Sequence, residues 1–122
     1  VKIGTDMAVG NDRFDEVISF YRDELSRCGI DYVMFGHIGD NHLHINMLPR
    51  KEQIDHAHQT YQVLVDRVVK WNGTVSAEHG IGKLKKKYFA QMIGDGSLQE
   101  LRRIKKIFDP NWLLGVGNML DP

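Results

Sequence analysis

Apolar residues recur along this chain with two periods, one typical of β-strands and the other of α-helices. Short runs that are apolar, or that alternate between apolar and polar residues, predict strands over residues 2–9, 31–36, 42–48 and 74–78. Between them, apolar residues three and four positions apart predict two amphipathic helices, after Gly10 and after Pro49. Their apolar positions are Phe14, Val17, Ile18, Tyr21 and Leu25 in the first helix and Ile54, Ala57, Tyr61, Leu64, Val65, Val68 and Trp71 in the second.

The order of these elements, βαββαβ, predicts the fold. This order is typical of the ferredoxin-like arrangement, an antiparallel sheet with two helices on one face. Two further helical segments are expected at the carboxyl end, over residues 84–93 and 98–108. Since no repeat or low-complexity tract divides the sequence, we expect one α+β domain over residues 1–122.

Composition limits the possible partners and the compartment. The chain has 16 basic residues (Lys and Arg) and 16 acidic residues (Asp and Glu), and this balance argues against a nucleic-acid partner. The single cysteine, Cys28, cannot form a disulfide framework, which fits a reducing, intracellular compartment. The chain has no run of about 18 apolar residues that could cross a bilayer.

The candidate chemistry lies in two short segments that hold four of the six histidines. Alternation along the third strand puts His42, His44 and Asn46 on one face, opposite the aliphatic residues expected to meet the helices. His37 ends the neighbouring strand, and Glu78 ends the fourth strand. Imidazole nitrogens and a carboxylate oxygen form a common donor set for a divalent metal ion, and an ion with an open position is catalytic.

From the residues alone, the function of these side chains stays open. The histidines could be hydrogen-bonded residues of a structural or interaction module that binds no metal. A His/His/Glu site among them could instead hold an ion that activates water in a metallohydrolase. The absence of bound metal would favour the structural or interaction module. Hydrolysis of esters or amides that a chelator abolishes would favour the metallohydrolase.

The two segments resemble a known family. Residues 36–40 (GHIGD), followed by His44 and Asn46, and residues 76–82 (SAEHGIG) closely resemble the carboxy-terminal domain of FAD-linked oxidases. That family includes D-lactate dehydrogenases, the glycolate oxidase flavin subunit and D-2-hydroxyglutarate dehydrogenase. Residues 2–9 and 107–114 are also similar to parts of that domain, so the resemblance spans nearly the whole chain.

The departure from the family pattern that bears on the site lies at one turn, and the closing residues 115–118 (GVGN) depart from it as well. The family usually has Gly-Asp-Gly-Asn-Leu-His, whereas this chain has Asn41 in place of the second glycine and His42 in place of the asparagine. Asn tolerates a positive φ, so we expect the turn to be kept.

The resemblance implies a role for each candidate residue. His37, His44 and Glu78 match the metal ligands of the metal-dependent members, with zinc as the expected ion. His79 matches a residue between substrate and flavin and is the candidate catalytic base. Asn46 matches a substrate-contacting residue. His42 adds a further imidazole to the site face, where it could be an extra metal ligand or could alter the choice of substrate.

The resemblance also implies partners outside this chain. FAD would be bound by an amino-terminal domain of the same polypeptide, of which residues 1–122 would be the last portion. The substrate would be a small D-2-hydroxy acid, oxidised to the 2-oxo acid, and the electrons would pass to an acceptor protein or a quinone. The full-length protein is expected in the cytoplasm, with peripheral association with the inner membrane as an option.

One expectation concerns the face that bears His42, His44 and Asn46. In the full-length protein this face would be covered by the flavin-binding part. In this chain alone we expect it to be open to solvent or covered by a second copy in a homo-oligomer.

Overall fold

Residues Val1–Glu78 and His79–Pro122 form two units in the computed structural model, which describes all of residues 1–122. The first unit contains β1 (Ile3–Gly4), β2 (Met7–Ala8), α1 (Phe14–Cys28), β3 (Tyr32–His37), β4 (His42–Met47) and α2 (Ile54–Lys70). The second unit contains α3 (Lys86–Phe108). The predicted α+β class is confirmed, with a small antiparallel sheet and three helices.

The sheet is centred on β4. On one side β3 pairs with it antiparallel, with His37 opposite His42. On the other side β1 and β2 pair with it in succession, with Gly4 opposite Asn46 and Ala8 opposite His42. His42 and Asn46 therefore have a paired strand residue on both sides, whereas His44 is paired with Phe35 of β3 on one side only.

The core of the first unit lies against the aliphatic face of β4. Leu43, Ile45 and Met47 are buried, as the alternation predicts. Burial of each such side chain stabilises the fold by about 1.5–3 kcal/mol. The two helices pack on each other, and their buried apolar positions are Val17, Tyr21, Leu25, Ala57, Tyr61, Leu64, Val65 and Val68. The predicted helix faces are thus confirmed, although four of their positions are only half-buried: Phe14, Ile18, Ile54 and Trp71.

Two predicted strands differ from the structure. Residues 2–9 form two short strands interrupted at Thr5 and Asp6. The strand predicted over residues 74–78 is reduced to a single bridge between Thr74 and Ala8. Beyond this bridge the regular ladder ends, since the backbone N–H of Ser76 is donated to the Thr74 hydroxyl and that of Glu78 to the side chain of Asp6.

The second unit is built on α3, which is broken at Gly94. This residue has φ 74° and ψ 165°, a conformation outside the helical region that glycine adopts without steric cost. The break lies between the two helical segments that the sequence predicts, and the first of them begins at Lys86, two residues later than expected. No helix of the chain is both long enough and apolar enough to span a membrane.

Asp109, at the end of α3, generates a prediction for the second unit. The hydrogen bond from Lys105, together with those from the backbone N–H groups of Leu114 and Leu113, lowers the pKa of this carboxyl to about 2 from its ordinary value of 3.8. Because the folded-state pKa is the lower one, the carboxylate stabilises the fold fully above the ordinary pKa, and this contribution is lost as the pH falls towards about 2. We expect Asp109→Asn to lower the free energy of unfolding at neutral pH, and the difference to shrink across this window.

Urea unfolding at a series of pH values measures this difference. Asp23→Asn, which changes an exposed carboxylate on α1, is the matched control and should show no comparable effect. A destabilisation by Asp109→Asn that is equal at neutral and acidic pH would contradict the assigned role of the charge.

Candidate metal centre

Three histidines meet on the polar face of β3 and β4. The ring centroids of His42 and His44 lie 4.2 Å apart on β4, and the ring of His37 on β3 lies 5.7 Å and 6.1 Å from them. Strand pairing explains this grouping, because His37 is directly opposite His42 in the register. The structure therefore brings together the histidines that the sequence singled out on these strands.

The carboxylate of Glu78 lies within reach of all three rings. Its Oε1 is 3.3 Å from His37 Nε2 and 3.6 Å from His42 Nδ1, and its Oε2 is 3.7 Å from His44 Nε2. One ligand atom from each of the four side chains lies within 4.8 Å of each of the others. The grouping of His37, His44 and Glu78 expected from the sequence is thus present in the first unit, with His42 beside them.

Asp6 holds this arrangement in place. Its side chain is completely buried, at 0% exposure. Oδ1 lies 2.8 Å from His42 Nε2, Oδ2 accepts a 2.8 Å hydrogen bond from the Ser76 hydroxyl, and the backbone N–H of Glu78 donates to Oδ1 at 3.2 Å. One carboxylate therefore positions both the imidazole of His42 and the backbone that carries the Glu78 side chain.

Sequence reasoning missed Asp6, although a signal was present. Asp6 is an acidic residue inside an otherwise apolar run, and strand alternation places it on the same face as Gly4 and Ala8. Those two residues lie opposite Asn46 and His42 in the sheet. Asp6 therefore lies between two residues that pair with the histidine-bearing strand β4, and an acidic residue in that position is a candidate partner of the histidines.

Thr5 orients the second buried ring. Its hydroxyl accepts a 3.0 Å hydrogen bond from the backbone N–H of Ile45, and its carbonyl oxygen lies 3.4 Å from His44 Nδ1 as a hydrogen-bond acceptor. The Nε2 atom of His44 is then left on the side of Glu78. The break between β1 and β2 thus supplies a backbone acceptor for a histidine of the site.

The burial of the site differs from the expectation. The face was expected to be open to solvent or to be covered by a second copy, yet His42 is 2% exposed and His44 is 6% exposed. The fully buried Asp6 lies against the His42 ring, and Ser76 is hydrogen-bonded to the other side of that carboxylate. The opening of the site lies instead on the side of His37 and Glu78, whose side chains are 56% and 47% exposed.

The surrounding residues have defined places. Asn46 is half-buried on the same face, next to Gly4, where an added Cβ would lie 2.9 Å from Asn46 Oδ1. An added Cβ at Gly36 would lie 2.1 Å from the carbonyl oxygen of His42, so only glycine allows this approach of β3 to β4. Asn41 has φ 50°, as expected for the turn before β4. His79 is exposed and is the first residue of the second unit.

The donor set fits a divalent metal ion. In protein metal sites a ligating histidine usually donates its other ring N–H to a carboxylate or a backbone carbonyl, which fixes the ring. His42 has such a partner in Asp6, and His44 has one in the carbonyl of Thr5. Imidazole with carboxylate suits zinc and the neighbouring divalent transition metals.

Comparison with known proteins identifies a family and several relatives. The profile described as FAD linked oxidases, C-terminal domain, matches residues 1–119. The chain is 30% identical over 120 residues to the mitochondrial D-lactate dehydrogenase (cytochrome) of Kluyveromyces lactis, which covers 97% of this chain and 21% of that protein. It is 35% identical over 96 residues to the D-2-hydroxyglutarate dehydrogenase of Xanthomonas citri pv. viticola, which covers 75% of this chain and 20% of that protein.

A third relative has lower identity over a similar length. The chain is 24% identical over 117 residues to the glycolate oxidase subunit GlcD of Bacillus subtilis, which covers 93% of this chain and 25% of that protein. The chain therefore spans between a fifth and a quarter of the length of these curated relatives.

The role of Asp6 can be tested by its removal. Asp6→Ala takes away the acceptor of His42, Ser76 and the Glu78 backbone, and each donor that stays buried without a partner costs about 1–3 kcal/mol. We expect a lower free energy of unfolding, measured in urea with a chelator present so that bound metal does not contribute. Asp23→Ala, an exposed acidic residue on α1, is the control, and an Asp6→Ala chain as stable as this control would refute the anchoring role.

Proposed function

Because this chain belongs to the family of FAD linked oxidases, C-terminal domain, we propose that it forms the substrate- and metal-binding part of a flavin-dependent dehydrogenase that oxidises a D-2-hydroxy acid to the 2-oxo acid. The names of the relatives support this substrate class, since lactate, 2-hydroxyglutarate and glycolate are all 2-hydroxy acids. The observation that carries the proposal is the convergence of His37, His44 and Glu78 on one point of the sheet.

These three residues would hold a divalent ion. His44 is buried and its ring is fixed by Thr5, whereas His37 and Glu78 lie at the exposed side, from which a substrate would approach. When bound, the ion would supply Lewis acidity, which draws charge from the hydroxyl and carboxylate oxygens of a 2-hydroxy acid. Asn46, on the same face, would donate an amide N–H to the substrate.

His79 is the proposed base. It directly follows Glu78 in the chain, and its side chain is exposed. A neutral imidazole would accept the proton of the substrate hydroxyl while the C–H bond at the neighbouring carbon breaks. An imidazole suits this role because its neutral form carries a nitrogen lone pair that can accept the proton.

The electron pair of the broken C–H bond needs an acceptor. FAD, held by another part of the polypeptide, would be that acceptor when bound. Val33 and Phe35 are apolar and half-exposed on the histidine face, where they would bury surface against that part. The name of the Kluyveromyces relative includes a cytochrome, which supports a protein as the next electron acceptor, and a quinone is the alternative.

Substitution of the ligands tests the proposal in the full-length protein. His37→Ala, His44→Ala or Glu78→Ala should each remove the bound ion and lower kcat/KM by at least about 100-fold, because a positioned Lewis acid contributes several kcal/mol to the transition state. His79→Ala should keep the ion and lose turnover. Elemental analysis of the protein and dye reduction with D-lactate, glycolate and D-2-hydroxyglutarate measure the two effects.

His56→Ala, on the exposed side of α2, is the control and should change neither quantity. Near-normal turnover in all three ligand variants would refute the metal centre. A full-length protein that binds no divalent ion would favour a structural or interaction module instead.

A further inference from the structure

The Nδ1 atom of His42 faces the same carboxylate as the other two histidines. It lies 3.6 Å from Glu78 Oε1, while Nε2 of the same ring lies 2.8 Å from Asp6 Oδ1. The ring is almost completely buried, so it offers little surface to a substrate. Of the two roles that the sequence left open for His42, an extra metal ligand and an effect on substrate choice, this position favours the first.

The carboxylate of Asp6 decides which nitrogen of His42 carries the proton. Asp6 accepts hydrogen bonds from the Ser76 hydroxyl and the Glu78 backbone amide, as an ionised carboxylate does, and its Oδ1 therefore accepts the Nε2–H of His42. In the neutral ring the lone pair is then on Nδ1, which faces Glu78 Oε1, a second acceptor. Two acceptors that face each other repel unless a cation, a proton or a water that donates to both joins them.

A metal ion satisfies these atoms better than a proton does. Nε2 of His37 lies 3.3 Å from Glu78 Oε1, and Nε2 of His44 lies 3.7 Å from Glu78 Oε2. A proton can join one nitrogen to one oxygen, whereas a metal ion can bind three nitrogens and an oxygen at once. Donation of the Nε2–H to a carboxylate is also the usual second contact of a ligating histidine.

We infer that His42 is a metal ligand through Nδ1 and that Asp6 is its positioning residue, so that the centre consists of three imidazoles and one carboxylate. The inference rests on the proposed centre of His37, His44 and Glu78 and adds a fourth protein ligand to it. The number of ligands also bears on which ion is bound.

Four side chains complete the shell of a tetrahedral zinc ion. An ion that accepts six ligands keeps two positions open, and a 2-hydroxy acid offers two oxygens to fill them. We therefore expect iron(II), manganese(II) or cobalt(II) as the working ion in place of zinc.

Two-dimensional long-range proton–nitrogen NMR of the 122-residue chain tests the ligand directly, because it reports each histidine nitrogen separately. On addition of zinc, which serves here as a diamagnetic probe, the Nδ1 resonance of His42 should shift to the value of a metal-bound nitrogen while Nε2 stays protonated. A His42 spectrum that zinc leaves unchanged while His37 and His44 respond would overturn the inference. Protonation of both His42 nitrogens in the zinc-loaded chain would also overturn it.

A matched pair of substitutions gives an independent measurement. His42→Gln keeps an N–H near the position of Nε2 for Asp6 but removes Nδ1, and His58→Gln makes the same change at an exposed position of α2. Loss of an outer partner of a metal ligand costs about 10–100-fold in affinity, so loss of the ligand itself should weaken zinc binding by at least about 100-fold in calorimetry. His58→Gln should bind zinc as the unsubstituted chain does.

The outcomes separate this inference from the proposed function. If His44→Gln abolishes zinc binding and a folded His42→Gln chain binds zinc normally, the three-residue centre stands and the role of His42 is refuted. If the unsubstituted chain binds no divalent ion, the centre and the inference both fail. If His42→Gln does not fold, the NMR measurement on the unsubstituted chain decides.

Cobalt(II) tests the coordination number. Six-coordinate cobalt(II) absorbs visible light weakly, and four-coordinate cobalt(II) absorbs it strongly. The cobalt-loaded chain should show weak absorption, and strong absorption would refute the assignment of a six-coordinate ion.

Discussion

The buried carboxylate of Asp6 is the constraint on which the site depends. A carboxylate removed from water is costly unless hydrogen-bond donors replace its hydration. Here the donors come from two distant parts of the chain: His42 on β4, and the Ser76 hydroxyl with the Glu78 backbone amide. Because Asp6 is satisfied only when these groups surround it, the interactions that offset its burial also place the His42 imidazole and Glu78 side by side.

The interruption between β1 and β2 is part of the same construction. The pairing register with β4 is the same on both sides of the break, with Gly4 opposite Asn46 and Met7 opposite Leu43. At the break the Thr5 hydroxyl accepts the backbone N–H of Ile45, and the Thr5 carbonyl is available to His44. A threonine leaves its backbone carbonyl available to His44 because its side-chain hydroxyl can accept the strand N–H in its place. Thr5 and Asp6 together therefore orient both buried histidines.

The centre has a rigid half and an open half. His42 and His44 are buried, and one nitrogen of each ring is held by a fixed acceptor. His37 and Glu78 are half-exposed and form the accessible side. Fixed rings reduce the reorganisation needed when a ligand binds, since their geometry is set before the ligand arrives. The open half provides a route by which an ion or a substrate can reach the fixed half.

The sequence by itself determined the helices, the two faces of β4 and the candidate ligands His37, His44 and Glu78. Periodicity records the helices and the faces of β4 because it depends on residues close together in the chain, whereas the ligand set was implied by the resemblance of two short motifs to a known family. Only the tertiary structure decided the role of Asp6, the reduction of the fourth strand to one bridge and the burial of His42. Asp6 meets His42 across 36 positions and Glu78 across 72 positions of the sequence. The physical reason is that a buried carboxylate is satisfied by whichever donors the folded chain brings to it, and no local pattern specifies donors that far away.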